Sequence, residues 1–265
     1  MLINPRPISN GMIKLVSLNI ERSKHLDLVL PFLEKEAADV VCLQELAKKD
    51  IPKFEDALGG KCFFAGMANH GDGEGEVAPG IVGIGMFSKL PVAQQDARYY
   101  WGTGVCEVLY DFSSAAGKHA TESYVVVYQD VEKNGERYRV ATTHFTWTPD
   151  GEADDLQRQD LRSLFHVLEP LGELALCGDF NAPRGGEIFS ELAKRYKDNI
   201  PLEYKTSLDL SFHRAGKTEA ERLGAYMVDG LFTSPGYLVS DVRLQFGVSD
   251  HAAVIATIAR EGERG

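Results

Sequence analysis

Ten short apolar runs leave this chain little choice of fold. Residues 13–20, 40–45, 62–66, 81–88, 124–131, 137–145, 174–179, 227–233, 238–244 and 253–259 are rich in Val, Ile, Leu and Phe and are punctuated by Gly, Pro or Asp, as β-strands bounded by turn formers are. Two segments carry apolar residues at helical spacing instead. Residues 24–36 place Leu26, Val29, Leu30 and Leu33 on one stripe, and residues 154–168 do the same with Leu161, Leu164, Phe165 and Leu168. An apolar sheet face must be covered, so many strands and few helices predict two packed sheets with helices outside them. With 265 residues and 44% hydrophobic content, the chain can bury one sizeable core. No repeat, low-complexity tract or long linker divides it. The expected organisation is a loose leader over residues 1–11, a single domain over residues 12–260 and a frayed end. The stretch 69–79, dense in Gly and Glu, reads as a mobile surface loop.

The informative polar residues sit where these apolar runs stop. KLVSLNIE ends in Asn19 and Glu21, two apart and therefore on one face of a strand. VVCLQE closes on Glu45, ATTHF carries His144, and LALCGDFNA ends in Asp179 and Asn181. Asp229 lies inside YMVDGLF, and Asp250 and His251 precede the last run. Any one acid closing a strand is more often a turn former or a cap. Six such placements beside buried strands are costly unless a metal, a partner or a water network compensates them, and convergence on one cleft is the economical reading. Glu21, Glu45 and Asp250 offer the oxygen ligands a hard dication prefers, and such an ion polarises a phosphoryl oxygen. Asp179, with Asn181 two residues on, is suited to orienting and deprotonating a water. Asp229 and His251 form a pair of the kind found in serine hydrolases, but no nucleophile elbow accompanies them. Cys and His spacing gives no zinc site.

Taken in order, SLNIER, VVCLQE, GIGMFSKLPV, TTHFTW, CGDFNA, MVDGLFTSP and VSDHAAV resemble the successive motifs of the endonuclease/exonuclease/phosphatase superfamily. That group includes DNase I, the abasic endonucleases, the inositol polyphosphate phosphatases, the bacterial sphingomyelinases and the deadenylases. The resemblance implies a DNase I-like α/β fold, a four-layered sandwich of two packed mixed β-sheets flanked by helices. It also implies a Mg²⁺- or Mn²⁺-dependent phosphoric ester hydrolase with its site at one edge of the sheets. Carried over motif by motif, Glu45 is the principal metal ligand, supported by Glu21 and Asp250. Asp179 activates water, Asn19 binds phosphate or orients Asp179, and Asn181 contacts the phosphate. His251, oriented by Asp229, stabilises developing charge, and His144 is the candidate acid for the leaving group. No acid lies in residues 80–86, where DNase-like members carry the Glu that orients the first His.

Substrate class is read less sharply. A nucleic-acid phosphodiester comes first, a small-molecule or lipid-headgroup phosphoester second, and a non-catalytic binding module last. The net charge of -11 and pI of about 5.1 argue against tight, sequence-independent binding along a polyanion. Trp147, just after His144, is the best aromatic for stacking on a base. Arg98 lies in a segment expected to reach over the cleft, and Arg214 in a loop expected to shape the substrate pocket. His25, His70, His119 and His166 have no motif support and are read as surface or packing residues. Cys42 and Cys177 sit in apolar runs as small buried hydrophobes. No run approaches membrane-spanning length and no export signal is visible, so a cytoplasmic monomer is the expectation.

Overall fold

The computed structural model describes residues 11–71 and 80–261. The leader apart from Gly11, residues 72–79 of the expected loop and the last four residues lie outside that description. In chain order the elements are β1 (Ile13–Asn19), α1 (Leu26–Glu36), β2 (Val40–Ala47), α2 (Ile51–Leu58), β3 (Cys62–Asn69), β4 (Ile81–Ser88) and β5 (Val92–Trp101). There follow α3 (Ala115–Thr121), β6 (Tyr124–Lys133), β7 (Glu136–His144), α4 (Asp155–Leu168), β8 (Ala175–Asp179) and α5 (Glu187–Arg195). The chain continues through β9 (Lys197–Asp198), α6 (Ala220–Leu223), β10 (Asp229–Thr233), β11 (Tyr237–Gln245) and β12 (Ala253–Arg260).

The strands form two six-stranded sheets, ordered β11-β12-β1-β2-β4-β3 and β5-β6-β7-β8-β10-β9. Each is mixed by a single parallel pair, β1 with β2 and β7 with β8, and each parallel pair is joined by a helical crossover, as parallel strands require. Alternation along β1 shows how the layers are built. Ile13 and Leu15 point into the core shared by both sheets, whereas Val16 and Leu18 point outward to Val29 and Leu33 of α1 and Phe54 of α2. On the second sheet, Leu161, Leu164 and Leu168 of α4 and Ile188, Phe189 and Leu192 of α5 join the core. The result is a four-layered α/β sandwich. Near the end of β2 that is in register with Asn19, Gln44 Nε2 donates to Thr142 Oγ1 at 2.9 Å, a polar tie between the two sheets. Cys42 and Cys177 are free and buried.

Parallel pairing decides where the site lies. The C-terminal ends of β1 and β2 emerge together, as do those of β7 and β8, with His144 opposite Asp179 in register. Because β12 runs antiparallel to β1 and β10 antiparallel to β8, their first residues arrive at the same edge. Among the described residues no helix is long and apolar enough to cross a membrane.

Candidate active site

At that edge lies a cleft of about 490 Å³. Asp179 sits on its floor, 1% exposed. Its Oδ1 accepts the backbone N–H of Asn181 at 2.8 Å, and its Oδ2 accepts the Asn19 amide across the seam at 3.1 Å. The same Oδ2 faces two imidazoles, His144 Nε2 at 3.5 Å and His251 Nε2 at 3.7 Å. His251 is fixed from behind, its Nδ1 donating to Asp229 Oδ2 at 2.8 Å. Asp229 is the register partner of Asp179, and its own N–H donates to Ser207 Oγ at 3.1 Å. Asn181, in the left-handed region at φ 49°, donates its side-chain amide to Phe145 O at 2.7 Å and so locks the turn after β8.

Glu45 reaches the cleft by breaking the strand rule. Val41 and Leu43 face outward to the helices, and period-two alternation would send Glu45 the same way. Instead the β2–β4 register shifts between Leu43 and Leu46, and Glu45 takes φ 53°. A bulge with a left-handed residue re-aims one side chain at the cost of local strain. Glu45 Oε1 then accepts the Asn19 amide at 3.4 Å, and Arg22 Nη1 lies 3.0 Å from Oε2. Glu21, also left-handed at φ 46°, pairs with Lys24 and meets His25 Nε2 at 2.9 Å. Asp250 completes the carboxylate side, its Oδ1 accepting the Ser249 hydroxyl at 3.2 Å.

These neighbours set the charges. Burial alone would raise the Asp179 carboxyl, but His251, His144 and the Asn181 N–H hold it well below the usual carboxylate range. Burial works against the charged form of His144 too, and is overcome by Asp179, Glu45 and Glu122, which bring it up to about 9. His251 is likewise buried, and Asp229 and Asp179 carry it well above the usual imidazole range. At neutral pH an anionic Asp179 therefore lies between two imidazolium ions. Glu45 is pushed up by burial and drawn down further by Arg22, His144 and His251, so it is ionised. Asp250 differs: burial, together with the charges of Glu21 and Glu45, lifts it to about 6.

This combination has a recognisable counterpart. Residues 16–251 match the Endonuclease/Exonuclease/phosphatase family. The chain belongs to that family. No curated protein matches it in sequence, whereas solved structures of family members share its fold. One from Bacteroides vulgatus is 17% identical, with a TM-score of 0.68 over 95% of this chain and 100% of that one. The human Nocturnin catalytic domain is 17% identical, with a TM-score of 0.61 over 96% and 97%. A mannosyl-6-phosphatase of Bacteroides thetaiotaomicron is 13% identical, with a TM-score of 0.63 over 93% and 99%. At these identities the likeness is one of fold, the DNase I-like sandwich of phosphoester hydrolases.

Endonuclease/exonuclease/phosphatase enzymes generally use divalent metals, and the residues present here fit one. Glu45 Oε2 is buried without a hydrogen bond of good geometry, and Asp250 is raised first by burial and then, against the pull of His251, by the neighbouring Glu21 and Glu45 carboxylates. Oxygen donors of this kind suit a hard cation. Ligand atoms of Asp179, Asp229 and His251 also lie within 4.8 Å of one another. The His251–Asp229 hydrogen bond accounts for that proximity, and a ligating imidazole must be neutral, so the carboxylate side is the better fit.

Asn19, Glu21, Glu45, His144, Trp147, Asp179, Asn181, Arg214, Asp250 and His251 all line the cleft, with Asp229 directly behind His251. Arg98 does not. It lies on β5, an edge strand, with its guanidinium 5.5 Å from the Tyr128 ring centroid and paired with Asp96 at 3.2 Å. The aromatics after it are used internally: Tyr99 OH donates to Gly66 O, Tyr100 bonds Thr143 Oγ1, and Trp101 Nε1 donates to His119 O. His70, read from sequence as surface or packing, lines the cleft and stacks on Tyr110 at 4.7 Å between centroids. Arg22, Lys118 and Tyr110 also line it. They lie on loops or a short helix, where no strand end marks them. The Arg22 signal was its place between Asn19 and the helix, one residue past Glu21.

Proposed function

We propose that this protein is a divalent-metal-dependent phosphoesterase that hydrolyses a phosphodiester with an activated water, nucleic acid being the first substrate class. The observation that carries the reading is the buried Asp179 carboxylate, aligned by Asn19 and Asn181 and flanked by the His144 and His251 imidazoles. Glu45 and Asp250, with Glu21 in support, would hold Mg²⁺ or Mn²⁺, which when bound polarises the phosphoryl oxygen and offsets charge on the leaving oxygen. Asp179 accepts a hydrogen bond from the attacking water and takes its proton as the bond to phosphorus forms. His251, kept charged by Asp229, stabilises the negative charge gathering on the phosphoryl oxygens. His144, protonated at neutral pH, is placed to supply the proton the leaving oxygen needs. Asn181 holds the turn that aims Asp179 and lines the phosphate's path.

Aromatic faces support a nucleotide-bearing substrate. Trp147 lines one wall, and His70 and Tyr110 line the cleft as a stacked pair, surfaces on which bases stack whatever their sequence. One observation favours a small phosphoester instead: a cleft of about 490 Å³ is the size of a small-molecule site. The test is hydrolysis with Mg²⁺ or Mn²⁺ of single- and double-stranded DNA, an abasic duplex, RNA, bis-p-nitrophenyl phosphate, inositol phosphates and sphingomyelin, each beside Asp179→Ala. Cleavage of a nucleic acid, abolished by EDTA and by the substitution, is the expected result. Turnover of small phosphates alone transfers the proposal to the second substrate class. No turnover of any substrate by a folded protein would sink it.

A further inference from the structure

Five Lys and Arg side chains line the cleft, namely Arg22, Lys24, Lys118, Arg214 and Arg222. Three of them are neutralised. Arg22 faces Glu45 at 3.0 Å, Lys24 pairs with Glu21, and Arg222 is held by Glu219 and, at 2.8 Å, by Asp150. Among the described residues Lys118 and Arg214 have no carboxylate within ion-pair distance. Lys118 is half-buried, and its ammonium rests 3.6 Å from the centroid of the Trp147 ring. That contact fixes its direction without neutralising it. Both burial and the charge of Arg214 disfavour the Lys118 ammonium, so the second cation is near enough to be felt. Glu122 and Glu45 offset this only in part, so a half-buried cation with no acid in contact and a second cation nearby is electrostatically unfinished, and an anion entering between them relieves both. Arg214 stands solvent-exposed at the mouth, where it can swing onto a ligand that Lys118 has already engaged.

We infer that Lys118, Arg214 and Trp147 form a subsite for a second anionic group of the substrate, a phosphate carried on the same molecule as the scissile phosphoester. The inference rests on the phosphoesterase reading for the position of the first phosphate. Its chemistry is that of a bisphosphate, whether a nucleotide or a phosphorylated polyol. Trp147 follows His144 closely in sequence, so the subsite borders the leaving-group side of the cleft. The ligand would be gripped at two points, with Lys118 acting as a directed point charge and Arg214 as a fork able to take two phosphate oxygens.

The test is titration calorimetry in Mg²⁺, on an Asp179→Asn background that prevents turnover. One arm compares adenosine 5′-monophosphate with adenosine 3′,5′-bisphosphate, and the other compares inositol 1-phosphate with inositol 1,4-bisphosphate. The expected result is a bisphosphate advantage of about tenfold or more in one arm, in line with a new charge-assisted contact. Lys118→Gln with Arg214→Gln should reduce that advantage to within about twofold, and Lys118→Arg should keep most of it. The arm that responds identifies the source of the second phosphate. No advantage in either arm, or one undiminished in the double variant, overturns the subsite. Hydrolysis by the parent is measured separately. Turnover with no bisphosphate advantage removes the subsite and leaves the enzyme, while an advantage dependent on both cations but without turnover by the parent keeps the anion site and removes the enzyme.

Discussion

Replacing Asp250 with Asn removes one of three carboxylates gathered at the proposed metal side of the cleft, and the metal-free protein should become more stable. Asp250 is raised from 3.8 to about 6 by burial and by the charges of Glu21 and Glu45. At about 1.4 kcal/mol per unit, keeping it ionised costs the folded state about 3 kcal/mol at pH 7.5. The sign follows from proton counting. Between pH 3.8 and about 6 the native state binds more protons at this site than the unfolded chain, so stability falls as pH rises through that window. Asn carries no charge and escapes the penalty. For a protein of this size about 3 kcal/mol corresponds to about 6–12 °C in Tm. The assay is thermal unfolding of both proteins in EDTA at pH 4 and pH 7.5, repeated with Mg²⁺. Asp250→Asn should melt well above the parent at pH 7.5 and close to it at pH 4. Saturating Mg²⁺ at about a hundred times its Kd should raise the parent by about 2.7 kcal/mol and the variant far less. A variant that melts below the parent in EDTA at pH 7.5 would refute the penalty on Asp250, and one that retains the full Mg²⁺ response would refute its place in the metal site.

Asp229→Asn removes the charge behind His251 while leaving a hydrogen-bonding side chain in place; kcat on the best substrate should fall by about 10²–10⁴-fold with KM little changed, and a fall confined to KM would contradict the role. In metal-free protein the His144 ring should titrate near 9 by NMR, and Asp179→Asn should bring it down toward the ordinary 6.5. The stability His144 contributes is accordingly full below pH 6.5 and lost as pH rises through about 9; a ring titrating below 7 in the parent would remove the proposed acid. Gly178 holds φ 138°, and a Cβ there would lie 2.0 Å from Thr143 O, so Gly178→Ala must push β7 from β8. It should cost about 3 kcal/mol or more and separate His144 from Asp179, read as a fall in Tm accompanied by loss of activity.

Much of this could be read from the sequence because buried strands announce themselves. All ten apolar runs lie in the two sheets, and the two striped segments became α1 and α4. What escaped lacks that signature. β5, VAQQDARYYW, is an edge strand whose first four residues are exposed, and its apolar residues do not alternate. α2 and α5 are eight and nine residues long, too short for a stripe to stand out. The site was legible for the same reason as the strands, since Asn19, His144 and Asp179 are polar ends of apolar runs, each on the inward face of its strand. Glu45 was found by motif, but its direction was not deducible, because alternation points it outward and only the bulge turns it in. Arg98 was misplaced for the matching reason: with β5 unread, a strand at the far edge of a sheet looked like a loop over the cleft. Lys118 and His70 come from segments whose positions depend on tertiary packing alone.

The groups proposed to react are divided between the two sheets. Asn19 and Glu45 belong to one, and His144, Asp179 and Asp229 to the other, with the Asn19–Asp179 hydrogen bond of 3.1 Å bridging them. Neither half holds a working set. During refolding, catalytic activity would therefore return only in molecules whose sheets have docked in their final alignment, while strand formation within either sheet would register earlier by far-ultraviolet dichroism. A delay between the two signals would time the closing of the seam itself.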